Sequence, residues 1–217
     1  MKGKILTTEE IRAFQRQIYE YYKHHGRDFP WRRTTDPYNI LVSEIMLQQT
    51  QVERVHDKYL EFIKMFSNFN VLSEASQGDV LAMWQGLGYN RRALALKKLA
   101  LEIVEVYGGV LPQDVNKLSS LPGIGKTTAG AILAFAFNMP SVFIETNIRR
   151  VFIHEFFRKK EDVKDGEIFP LVEATMDREN PREWYWACLL YTSDAADELL
   201  CVDLGGRLTI KKKNINN

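Results

Sequence analysis

Helix starts and stops recur along this chain with almost no strand pattern between them, which confines the fold to packed helices. Thr7 followed by Glu10 is a capping box, and Ile11, Phe14, Ile18, Tyr21 and Tyr22 behind it predict an amphipathic helix over 8–25. Asp36 then Pro37 is a cap-and-proline start for a helix carrying Ile40, Leu41, Glu44 and Leu47. Thr50 and Glu53 read as a second capping box, ahead of one apolar stripe: Val52, Val55, Tyr59, Phe62, Ile63 and Phe66. Further helices fit 77–84, 91–107 with Gly108 and Gly109 as its stop, 126–137, 147–158, 166–177 and 181–187, with a short helical turn over 114–119. No segment alternates like a half-buried strand, so the expected class is all-α.

The 217 residues are 45% apolar, enough to bury a core in one domain or two small ones. No apolar run reaches the ~18 residues of a bilayer span, and the N-terminal stretch has no signal-peptide apolar region. The expectation is a cytoplasmic protein with no membrane partner. The formal charge of +1 neither proposes nor excludes nucleic acid, because a basic strip can be offset by an acidic remainder. Cys188 and Cys201 alone cannot supply the four thiolates of an iron–sulfur cluster, and no metal site is legible. From about Cys188 the composition changes, and residues 188–217 read as a tail foreign to the rest, similar to the conceptual translation of a sequencing adapter. No function is assigned to it.

Four stretches could carry chemistry. Leu121-Pro122-Gly123-Ile124-Gly125 lies between two short helices, where glycines let backbone amides approach an anion; Lys126 and a helix N-terminus would add positive charge to hold a DNA phosphate. A plain interhelical turn is the bland alternative. Gly125-Lys126-Thr127 also ends like a nucleotide-binding P-loop, but Ser120 stands where that pattern needs glycine, and the segment before it is polar rather than a buried strand. Glu44 sits among aliphatic neighbours on its helix, a setting that raises a carboxyl pKa toward neutrality and suits a general acid; a partly exposed helix glutamate is the alternative. Glu145, entering the helix after Val142, Phe143 and Ile144, would be the second carboxylate of a glycosidic cleft, one group protonating what leaves while the other stays anionic beside an oxocarbenium-like cation. It could equally be only a helix N-terminal charge. Gly86-Leu87-Gly88-Tyr89-Asn90-Arg91-Arg92 joins a tight turn to a ring and two guanidinium groups, suited to a DNA backbone and an unstacked base.

In this order, Phe29-Pro30-Trp31-Arg32, Pro37-Tyr38, the run over 43–52, Trp84-Gln85-Gly86-Leu87-Gly88-Tyr89 and the run over 121–130 resemble the helix-hairpin-helix base-excision DNA glycosylases, closest to the adenine-excising, MutY-type branch. The resemblance covers residues 8 to about 187. It implies two helical domains, a barrel over 29–135 with the hairpin and a second, incomplete domain from 1–28 plus 136–187, with a DNA cleft between them. It makes Glu44 the acid that protonates adenine and puts Glu145 where the family has an aspartate, with Asn147 an active-site neighbour. Arg32 and Thr127 fall in its substrate pocket. Gln48, Gln49 and Tyr89 match residues that penetrate the duplex, while Arg91, Arg92, Gly123, Gly125, Lys126 and Arg149 fall on its DNA side.

Bifunctional relatives carry a lysine nucleophile where Thr127 stands, so the resemblance implies a monofunctional enzyme in which water attacks the sugar. The partner implied is double-stranded DNA with a mismatched or oxidised base, met by a nucleoid-associated monomer. A thymine or uracil glycosylase at mismatches with guanine is the alternative within the family, and an inactive DNA-binding module the alternative outside catalysis. The family's four-cysteine loop for a [4Fe-4S] cluster is missing from the sequence. A chain lacking its last helices would leave Trp184 and Trp186 uncovered and marginally stable.

Overall fold

The computed structural model describes residues 5–158, 160 and 162–199, the last eight of these by backbone only. It is all-α, with no strand among the described residues. The helices are α1 (Thr8–His25), α2 (Pro37–Leu47), α3 (Val52–Met65), α4 (Phe69–Glu74), α5 (Gln77–Trp84), α6 (Arg91–Tyr107), α7 (Val115–Ser120), α8 (Lys126–Phe137), α9 (Thr146–Phe156), α10 (Asp165–Thr175) and α11 (Pro181–Leu199), with one 3-10 turn over Pro30–Arg32. No helix among the described residues is long and apolar enough to cross a membrane.

Most of these elements start where side chains claim the free amides of a first turn. Thr7 and Glu10 form the full capping box of α1. Asp36 accepts from Asn39 N ahead of Pro37, Ser76 from Asp79 N, and Asp114 from Asn116 N and Lys117 N. The expected box at Thr50 and Glu53 does not form. Gln51 is the N-cap of α3, and the Thr50 hydroxyl instead donates to Gln48 O at 3.3 Å and accepts from Arg92 at 2.8 Å. The patterning also misses α4, six residues long and capped by Asn68.

The chain divides into two compact units. The hairpin unit comprises Asp28–Phe143 and Met176–Arg182. Its centre is α2, apolar around nearly its whole circumference, with Tyr38, Ile40, Leu41, Val42, Ser43, Ile45 and Met46 all buried. Helices α3, α6 and α8 pack on it. Phe62 from the α3 stripe meets Phe66 and Trp84 edge-on, and Tyr38 donates its hydroxyl to Phe66 O at 2.5 Å. The chain leaves this unit after Phe143 rather than at 135, because Gly130 on α8 leaves only enough room for Phe143 and Ser141 to close against it. Arg182 also reaches back to the last carbonyls of α8, Phe135 O at 2.6 Å and Ala136 O at 3.0 Å.

The terminal unit comprises the described residues up to Arg27, within Ile144–Thr175 and from Glu183 to Leu199. Phe14 on α1 meets Phe152, Phe156 and Trp184 edge-on at 5.5, 5.0 and 5.7 Å. Here two expectations fail. Trp184 is 0% exposed and Trp186 is partly buried, so that face is covered. The helix expected over 181–187 continues through Leu199, with Cys188 and Leu190 buried. The Tyr191 hydroxyl donates to Glu155 at 2.9 Å and accepts from Gln17 at 2.7 Å. The packed region therefore extends past the change in composition at 188. The remainder of the expected tail, 200–217, lies outside the described residues.

Candidate active site

Glu44 lies near the C-terminal end of α2, half-buried, one turn before Gln48 and so on the same face. The hairpin unit also has a depression of about 510 Å³, whose lining includes Ile45 and Gln48 but not Glu44. Gln48, Gln49, Tyr89, Arg91 and Gly123, all singled out from sequence, line it together with Ile45, Arg92, Ala95 and Thr128. Three segments far apart in sequence thus converge: the end of α2, the turn before α6 and the α7–α8 hairpin.

In that hairpin Gly123 has φ +80, a left-handed conformation that glycine takes without steric penalty, and its Cα side faces the Ala95 methyl of α6. Gly125 is the N-cap of α8 and has no side chain to turn back on the helix. The first-turn amides are thereby open to an external anion, with exposed Lys126 beside them. Thr127 is exposed on the first turn and lies apart from the lining; its neighbour Thr128 accepts from Gln48 Nε2 at 3.3 Å. Sequence reading missed Thr128, although it shares helical spacing with buried Ile132 and Phe135. Arg32 is also apart from the lining; its guanidinium lies 5.1 Å from the Phe29 ring centroid, and Phe29 stacks on Trp31.

The two adjacent arginines differ. Arg91 is exposed at the rim, its guanidinium 6.0 Å from the Tyr89 ring centroid. Arg92 is 7% exposed and both of its Nη groups donate inward, so the expectation that it contacts DNA phosphate is corrected: Nη1 and Nη2 are engaged within the protein, and Nε is buried without a partner. The signal was present, because Arg92 falls in register with buried Leu96, Leu99 and Ile103.

Glu145 and Asn147 belong to the terminal unit. Glu145 is the N-cap of α9, its carboxylate accepting from Ile148 N at 2.6 Å, with Asn147 partly buried in the first turn. Burial pushes the Glu145 pKa above its ordinary value, and the Asn147 and Ile148 amides, with Arg150 and Arg149, oppose that only in part. The helix-charge role is thus realised in the structure. Arg149, expected on the DNA side, is bonded to Asp165 at the start of α10, with Nη2–Oδ2 2.8 Å. Burial, reinforced by the Glu145 charge, pushes the Cys188 thiol well above its ordinary value, and among the described residues no group of three His, Cys, Asp or Glu could hold a metal ion.

An all-helical fold with two short helices joined by a glycine turn of outward amides defines a helix-hairpin-helix protein. Residues 42–173 match the family model described as HhH-GPD superfamily base excision DNA repair protein, and the chain belongs to that family. It is 43% identical over 145 residues to an adenine DNA glycosylase of Buchnera aphidicola subsp. Baizongia pistaciae, covering 66% of this chain and 41% of that protein. To an adenine DNA glycosylase of Mycolicibacterium smegmatis it is 41% identical over 136 residues, covering 62% and 46%. The chain thus spans less than half the length of these two curated relatives. Among solved structures it resembles a thermostable thymine-DNA glycosylase, with TM-score 0.78, 27% identity, and coverage of 85% of this chain and 87% of that one.

Proposed function

We propose that this chain is a monofunctional DNA N-glycosylase that hydrolyses the bond between deoxyribose and a mismatched adenine in duplex DNA, opposite 8-oxoguanine or guanine. The observation that carries the reading is the convergence of Gln48, Gln49, Tyr89 and the Gly123 hairpin on one depression, with Glu44 one turn before Gln48 on α2. The identity to adenine DNA glycosylases supports the choice of base.

In this mechanism the hairpin amides and Lys126 hold a phosphate, and the glutamines and Tyr89 take up the space a flipped nucleotide leaves. Glu44 delivers its proton to the adenine ring as the C1′–N9 bond breaks, with the bonding pair leaving on adenine. The family resemblance gives Glu145 the anion's part beside the sugar cation, and water adds to C1′, giving up a proton to the Glu44 carboxylate and restoring the acid. Thr127 offers no amine, so no Schiff base forms and the strand is left intact. Glu145 exceeds the family's aspartate by one methylene, and its cap geometry decides how close the charge comes.

A second reading, thymine removal opposite guanine, is favoured by the structural likeness to the thymine-DNA glycosylase. Single-turnover assays on duplexes holding adenine opposite 8-oxoguanine, adenine opposite guanine, and thymine opposite guanine separate the two. Adenine release is expected; thymine release alone supports the second reading, and tight binding without release supports a binding shell.

A further inference from the structure

Two residues that line the depression carry side chains on left-handed backbone: Gln49 with φ +55 and Tyr89 with φ +47. For residues other than glycine this conformation is disfavoured, so something must hold each in place. The Arg92 guanidinium meets both. Its Nη1 donates to Ile45 O at 3.0 Å, Met46 O at 2.9 Å and Gln48 O at 2.5 Å; its Nη2 donates to the Thr50 hydroxyl at 2.8 Å, Leu87 O at 3.1 Å and Gly88 O at 3.2 Å. Gln48 O and Gly88 O belong to the peptide planes immediately before Gln49 and Tyr89, the planes whose rotation sets those two φ angles. The guanidinium carbon also lies 5.5 Å from the Tyr89 ring centroid and 5.4 Å from that of Trp84.

We propose that Arg92 is a positioning residue that locks Gln49 and Tyr89 into one rigid, two-pronged element. Trp84 Nε1 holds Gly88 O at 3.0 Å and the Thr50 hydroxyl holds Gln48 O at 3.3 Å, each on one plane alone, whereas the single planar fork of Arg92 joins the two and couples the backbone under both prongs. Lysine, with one compact ammonium, cannot span both peptide planes or stack as a plane on the rings. The consequence at the DNA rests on the proposed function: two prongs held at fixed spacing extrude a nucleotide, whereas two loose ones fold away from the duplex.

The test compares the parent with Arg92→Lys and with Thr50→Val, which keeps the arginine but removes one of its acceptors and that hydroxyl's own bond to Gln48 O, so that in Thr50→Val the segment 87–90 reads the coupling through Arg92. In the free protein, amide hydrogen exchange over 45–50 and 87–90 is expected to accelerate together in Arg92→Lys, by about tenfold for the loss of one net hydrogen bond, with α8 unchanged. Thr50→Val should shift the same two segments by less. On a duplex with 2-aminopurine as the target base opposite 8-oxoguanine, where fluorescence reports unstacking without bond cleavage, Arg92→Lys should cut the rate of the rise by about 100-fold, the scale of a misplaced constellation. Acceleration in one segment alone, or in neither, overturns the coupling, as does undiminished unstacking in Arg92→Lys. If Arg92→Lys does not fold, Thr50→Val decides on exchange. A parent that neither unstacks nor releases a base contradicts the proposed function, and the exchange result still decides the role of Arg92.

Discussion

The turns that face the depression use left-handed backbone for two opposite ends. In the α7–α8 hairpin a glycine, Gly123, takes φ +80, and what is presented outward is backbone amide. At the end of α2 and before α6 the left-handed residues are Gln49 and Tyr89, and what is presented is side chain, Tyr89 54% exposed. The first solution needs only the missing Cβ. The second needs a buried arginine whose hydrogen bonds hold the strained planes. A turn that offers backbone to a uniform phosphate can be made locally; a turn that aims side chains at a base must be braced from the core.

Removing the brace should have the largest effect. Arg92→Ala removes the guanidinium from five carbonyls, of which Gln48 O keeps the Thr50 hydroxyl and Gly88 O keeps Trp84 Nε1, and should cost roughly 3–5 kcal/mol in chemical denaturation. A loss near zero would mean water replaces the guanidinium and the contrast between the turns is false. Next, Gly123→Ala adds a Cβ at a left-handed position, 3.1 Å from the Ala95 methyl, and should lose about 1–2 kcal/mol together with weaker duplex binding. Gln49→Gly runs the other way, relieving strain and raising stability by up to about 1 kcal/mol while base extrusion falls. Lys126→Ala should lower the slope of log binding constant against log salt by about 0.9, without changing preference among mismatches.

The smallest effect lies in the terminal unit. Burial raises the Glu145 pKa above its ordinary 4.5, so the folded state holds this proton to higher pH than the unfolded chain does. The parent's stability from this group is fully present below pH 4.5 and declines as pH rises through the raised value. Glu145→Gln still offers an oxygen to Ile148 N but does not titrate, so its melting temperature relative to the parent should climb from acid to neutral pH. A pH-independent difference would contradict the burial of this carboxylate.

Helices were legible where side chains close their own first turns, as at Thr7 and Asp36, because those signals are local. Of the site residues read from sequence, Gln48, Gln49, Tyr89, Arg91, Arg92 and Gly123 line one depression, whereas Glu44, Arg32 and Thr127 do not. What sequence reading misassigned was direction. Arg91 and Arg92 look alike as neighbours, yet one turn of α6 sends the first outward and the second in line with Leu96 and Leu99. Thr127 and Thr128 diverge on α8 in the same way. At the end of the chain a change of composition outweighed a helical pattern that continued to bury Cys188 and Leu190. Composition reports what residues are present, whereas burial depends on which face of the helix they occupy.

The most direct test of the whole account is single-turnover release of adenine from a duplex with adenine opposite 8-oxoguanine, by this chain and by Glu44→Gln. The account predicts free adenine from the parent and a loss of about 10²–10⁴ in rate for the variant, the scale of a general acid. Adenine release that survives Glu44→Gln unchanged, or a folded, DNA-binding parent that releases no adenine, would contradict it.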